Sequence, residues 1–136
     1  MRGQPRTRAM TRADVQLRAR HATDFLETAT DALTLHPERT NVAISNAVLA
    51  GIAAADAICG RTLGQAAKGD AHDEAARLLG TTGPEAAQQV NDLRRLLALK
   101  TNSQYSPLVL TDSTAADAIR WASRLIESMR TVLAGP

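Results

Sequence analysis

Lys100 and Tyr105, the chain's single tyrosine, stand five residues apart where an amphipathic pattern gives way to Ser106-Pro107. A helix end ordinarily needs a capping glycine and little more, so a cation and a phenol at this spacing ask for another explanation. A lysine beside a carboxylate keeps its charge and can hold a phosphate or an acidic side chain of a partner. Five residues of helix turn through about 500°, which leaves positions 100 and 105 about 140° apart. They share a groove only if the helix loosens near Asn102-Ser103, as the helix-poor Thr-Asn-Ser run and the approaching Pro107 permit. Asn102 and Gln104 then join them as binding groups, and Asp56, an acid set in a run of alanines, is the carboxylate expected close by. His72, in KGDAH, offers an imidazole from a neighbouring loop.

Each of these residues also has an architectural reading. Tyr105 can anchor the turn by its ring and hydroxyl. His72 fits a solvated position in the first turn of a short helix. Asp56 needs a hydrogen-bonded partner at a helix interface, because a buried charge without one is costly. His21 and His36 read as surface helix residues, and Trp121 as core or dimer interface. No Cys/His cluster, glycine-rich phosphate loop or nucleophile elbow is present, so zinc, nucleotide-fold and serine-hydrolase chemistry have no support and no cofactor is expected.

The elements that must carry these groups are helices. With aromatics at only 2% (Phe25, Tyr105 and Trp121), the core has to be built from Leu, Ile, Val and Ala, which suits packed helices better than a sheet. The spacing predicts a helix from about Thr11 to Leu35, stopped by His36-Pro37. A buried central helix follows from Asn41 to Gly60 or Gly64, with Ala47, Gly51, Ala55 and Cys59 on one close-packing row. A short helix spans about Ala71 to Leu79, and a fourth begins near Pro84 with Val90, Leu93 and Leu97 inward. Thr111 or Asp112 caps the last helix. No alternating strand pattern of useful length occurs, and no apolar run approaches the roughly 18–20 residues of a membrane span. One domain over residues 11–136 is expected: all-α, an antiparallel up-and-down bundle of four long helices and one short one.

The net charge of +2 is unevenly placed. Residues 1–20 hold six arginines against the acid Asp14, a charge of +5, so the remaining 116 residues carry −3. Residues 1–10 are expected to form a basic, disordered arm. Through Arg6, Arg8 and Arg12 such an arm can attract nucleic acid by phosphate contacts, although no aromatic is interleaved to stack on bases. The lone Cys59 forms no internal disulfide, and the basic start lacks a signal peptide's apolar middle. A cytoplasmic protein without membrane attachment is expected.

The order of segments, AAADAIC, then GDAHDEAARLL, then LRRLLALKTNSQYSP, then DAIRWASRLI, resembles the HEPN superfamily, more narrowly its actinobacterial HEPN-like domains. The resemblance covers roughly residues 20–134, with 95–107 its most specific part. It implies a helical bundle that commonly dimerises and often serves toxin–antitoxin or defence systems. HEPN ribonucleases carry an arginine and then a histidine near the end of the penultimate long helix, with a polar residue of the second helix assisting. Carried over, Lys100 takes the arginine's place, Tyr105 the histidine's and Asp56 the assisting position. Both key positions depart from the pattern. Metal-free RNA cleavage needs a base for the ribose hydroxyl and a cation for the phosphate. Lysine supplies a point charge without the bidentate fork, and tyrosine, with a reference pKa near 10, is a poor base at neutral pH.

The leading expectation is therefore a HEPN-like homodimeric module with a degenerate ribonuclease motif, binding a protein partner of a toxin–antitoxin or defence pair. Two alternatives stand beside it. One is a metal-independent ribonuclease using Lys100, Tyr105 and His72; the other is an RNA- or DNA-binding module using the arginine arm.

Overall fold

A computed structural model describes residues 6–68, 72–105 and 111–135. In chain order the elements are β1 (Thr7–Ala9), α1 (Arg12–Leu35), α2 (Thr40–Leu63), β2 (Gln65–Ala67), α3 (His72–Gly80), α4 (Ala86–Tyr105) and α5 (Asp112–Ala134). The protein is thus mostly helical, with one small two-stranded ladder. Local chemistry fixes the ends. Thr11 and Asp14 close a capping box on α1: the Asp14 amide donates to Thr11 Oγ1 at 3.0 Å and the Thr11 amide to Asp14 Oδ2 at 2.9 Å. The Thr11 amide first, and then the Thr11 hydroxyl, hold the Asp14 carboxyl below its usual pKa. His36, before Pro37, ends α1. Gly64 ends α2 in the left-handed region, at φ 74°, where a side chain would be strained. The Thr111 hydroxyl accepts the Thr114 amide at the start of α5.

The long helix α2 is the axis of the fold. Its partner α1 runs antiparallel, since Arg18 meets Asp56 while Val15 meets Gly60. α5 runs parallel to α2, with Gly51 opposite Leu125 and Arg61 bonded to the Gly135 carbonyl. α4 is antiparallel to α5, because Asp92 pairs with Arg124 and Arg95 lies over Trp121. Small side chains let these helices approach. Ala22, Ala29, Ala43, Ala47, Ala50, Ala53 and Ala54 are all fully buried, as is the expected row of Ala47, Gly51, Ala55 and Cys59. A methyl group on Gly51 would come within 2.5 Å of Leu96 Cδ1 and 3.4 Å of Leu125 Cδ1, so its glycine is a packing requirement.

Three expectations need correction. Residues 1–10 do not form a loose arm throughout: from Arg6 onward the chain belongs to the fold. β1 pairs antiparallel with β2 in the register Thr7 to Ala67, Arg8 to Ala66 and Ala9 to Gln65. The Lys68 amide extends the ladder to the Arg6 carbonyl, and the Met10 amide to the Gly64 carbonyl. Strands of three residues carry too little periodicity to be read from sequence. Met10 then plugs the notch at Gly60, its Cβ and Cε 3.1 Å from where a Gly60 side chain would start, and only 7% of it stays exposed. Finally, α2 does have the length and apolar composition of a membrane span, although 67% of its most apolar window is covered by the rest of the fold.

Candidate functional site

Asp56 lies on the α1-facing side of α2, 9% exposed. Its Oδ2 accepts two bonds from Arg18, from Nε at 3.1 Å and Nη2 at 3.0 Å, and Arg8 Nη2 approaches to 3.6 Å. Arg18 Nη1 in turn lies 3.4 Å from His21 Nδ1. Burial raises the Asp56 pKa above the ordinary carboxylate value, and the two arginines counter this only in part. Cys59, one turn further along α2, is buried and its thiol is pushed up to about 12 by burial and the Asp56 charge. It is therefore no nucleophile near neutral pH. The cluster ties β1 and α1 to α2, with its carboxylate engaged by guanidinium partners.

This geometry separates the residues expected to meet. Gly51 on α2 opposes Leu96 on α4, and the two helices run in opposite directions. Asp56 lies five residues beyond Gly51 toward one end of the bundle, and Lys100 four residues beyond Leu96 toward the other. At 1.5 Å rise per residue that places them about 13 Å apart along the axis. Asp56 is thus not the carboxylate beside Lys100; that place in its coordination is filled by Arg18 and Arg8. Nor does α4 loosen at Asn102-Ser103. Its backbone stays helical through Tyr105, so the loosening expected there does not occur. Lys100 is half-buried near the end of α4 and His72 opens α3; the side chains of His72, Asn102, Gln104 and Tyr105 lie outside the described part of the structure. The three arginines assigned to a nucleic-acid arm are dispersed. Arg6 approaches Glu74 at 3.9 Å, Arg8 faces Asp56, and Arg12 is the exposed first residue of α1.

A second ionic cluster, not foreseen from the sequence, builds a ledge between α4 and α5. Asp92 is 1% exposed. Arg124 grips it with Nη2 at 2.6 Å from Oδ1 and Nε at 3.2 Å from Oδ2, the two-pronged geometry a guanidinium offers a carboxylate. Gln88 Nε2 donates to the same Oδ1 at 3.2 Å, and Arg95 Nη1 lies 3.8 Å away. The Arg95 guanidinium also covers the half-buried Trp121 ring, 5.6 Å from its centroid. A signal existed: Asp92 falls four residues before Leu96 on the inward row of α4, where an acid requires a cation from the facing helix. Beside this ledge the two helices enclose a cleft of about 560 Å³ that includes Glu85, Asp92, Arg124, Glu127 and Arg130 in its walls.

The arrangement therefore offers a stacked arginine–tryptophan pair, a fixed ionic floor and exposed charges of both signs. Among the described residues no three metal-ligating side chains gather at one point. No protein-family model matches the chain, and no curated protein is significantly similar to it.

Proposed function

We propose that this chain is a HEPN-like helical binding module that works through protein contacts, first with a second copy of itself, and that its ribonuclease motif is degenerate. The observation that carries this reading is the unbroken course of α4 to Tyr105. It is supported by Asp56, whose carboxylate is engaged by Arg18 and Arg8 rather than held out as an assisting group for a cation and a phenol. The helix directions and the short α3 support the finer description, an up-and-down bundle of the HEPN type. The resemblance supplies the setting, a cytoplasmic toxin–antitoxin or defence pair whose other member is a protein.

The contact surface in this proposal is the α4–α5 ledge. Tryptophan and arginine are the residues that most often carry binding energy at interfaces, and here Asp92 fixes Arg124 from beneath while Arg95 stacks on Trp121. The charges along the ledge suit a two-fold partner. Arg95 and Arg124 stand at one end, where Arg120 is paired with Asp117 at 3.0 Å, and Glu85 and Glu127 stand at the other beside Arg130. A two-fold axis places the basic end of one copy against the acidic end of the next, the self-complementarity an isologous interface needs.

Incubating the purified chain with labelled single-stranded RNA in the presence of a chelator tests the choice against cleavage. The RNA is expected to stay intact. Cleavage that is lost in Lys100→Ala and in Tyr105→Phe, with both variants still folded, would overturn the binding reading in favour of a metal-independent ribonuclease.

A further inference from the structure

At the bundle end formed by the start of α1 and the last turns of α2 and α5 lies a groove of about 520 Å³, within the range of small-molecule pockets. Met10, Val15, Gly60 and Leu133 give it an apolar wall, and Arg12 and Arg61 stand at it as cations. No acidic side chain is among the described residues that line it. Two helix C-termini also end here, and their carbonyls would repel an anion if bare. One carbonyl of each is capped, Gly60 by the Gly64 amide and Val132 by the Gly135 amide, and the Gly135 carbonyl accepts Arg61 Nη2 at 3.1 Å. Asp14, the acid in the first turn of α1, is held by the Thr11 capping box and is not among the residues that line the groove. The charged side chains that line the groove are thus the two guanidinium groups.

Independently of the ledge, we propose that this groove binds a small amphiphile with one anionic head, an aliphatic carboxylate being the best match. The guanidinium fork of Arg12 pairs with a carboxylate, and Arg61, steadied by the Gly135 carbonyl, adds a second positive charge. The aliphatic body replaces water along Met10, Val15 and Leu133. A bare inorganic anion leaves that wall wetted, and a neutral chain forgoes the attraction of the Arg12 and Arg61 charges. Because Met10 is both groove wall and the plug that follows β1, an occupied groove also holds β1 against β2.

Methyl resonances of ¹³C-labelled methionine in the full chain report on this directly. Met10 lines the groove, whereas Met129 is a buried core residue, 2% exposed, and is not among the groove's residues. Titration with decanoate below its micelle concentration is expected to shift the Met10 methyl saturably and leave Met129 in place. Decanol should bind at least tenfold more weakly, and inorganic phosphate alone should not shift Met10. Arg12→Ala should weaken decanoate at least fivefold, and Leu133→Arg should abolish the saturable shift, with an unmoved Met129 signal verifying that both variants are folded. Met10 and Met129 shifting together without saturation, decanol binding as tightly as decanoate, phosphate binding as tightly as decanoate, or unchanged affinity in Arg12→Ala would each overturn the proposal.

Discussion

Asp56 sits in a position where its ionised form is disfavoured by burial and only partly restored by Arg18 and Arg8. Its folded pKa lies above its unfolded value, so between the two the folded state binds more protons. The stability Asp56 contributes is then fully present below its unfolded pKa, near 3.8, and is lost as pH rises through the raised folded value. In urea unfolding from pH 4 to pH 7, the stability of wild type relative to Asp56→Asn should therefore fall with pH. A flat difference, or one rising in favour of wild type, would mean that the Arg18 bonds outweigh desolvation. Arg18→Ala, which leaves the buried carboxylate without its two-pronged partner, should cost about 3 kcal/mol at pH 7 and less at pH 4, where Asp56 takes up a proton. Residue type and context marked Asp56 in the sequence as needing a partner. They could not name that partner, because Arg18 is 38 positions away and only the antiparallel crossing of α1 on α2 brings it near.

Among the elements, the helices were legible where capping chemistry is local: Thr11 with Asp14, Pro37 after His36, Gly64, and Thr111. β1 was not, because three residues of strand are held by pairing with β2 and by the Met10 plug, both contacts across fifty positions or more. Met10→Ala should accordingly destabilise the fold by about 2 kcal/mol and accelerate amide exchange at Thr7–Ala9. Unchanged exchange would mean that the ladder alone retains β1. In the middle of α2, the close approach of Leu96 and Leu125 sets two effects of Gly51→Ala against each other. Alanine favours the helix by about 1 kcal/mol, while overpacking a filled core costs roughly 1–3 kcal/mol. Because Leu96 is fully buried and has little room to retreat, the steric cost should win. A thermal midpoint lower than wild type is expected; a higher one would show that Leu96 simply changes rotamer.

On the scale of the whole molecule, helix directions decide what the candidate residues can do together. The opposed runs of α2 and α4 carry Asp56 and Lys100 away from one another. The groove at Lys100 was argued from local helix-breaking tendencies, which tertiary packing overrides. The ledge instead arises where α4 and α5 cross and place Asp92, Arg124, Arg95 and Trp121 together, a constellation that no stretch of sequence contains. If this ledge is the contact surface of a two-fold module, self-association depends on it. Sedimentation equilibrium of the full chain from about 1 to 100 µM, for wild type and Arg95→Glu, measures that dependence. A concentration-dependent dimer for wild type and a folded monomer for Arg95→Glu is the predicted result. A wild-type chain that stays monomeric throughout, or a dimer that Arg95→Glu leaves intact, would contradict it.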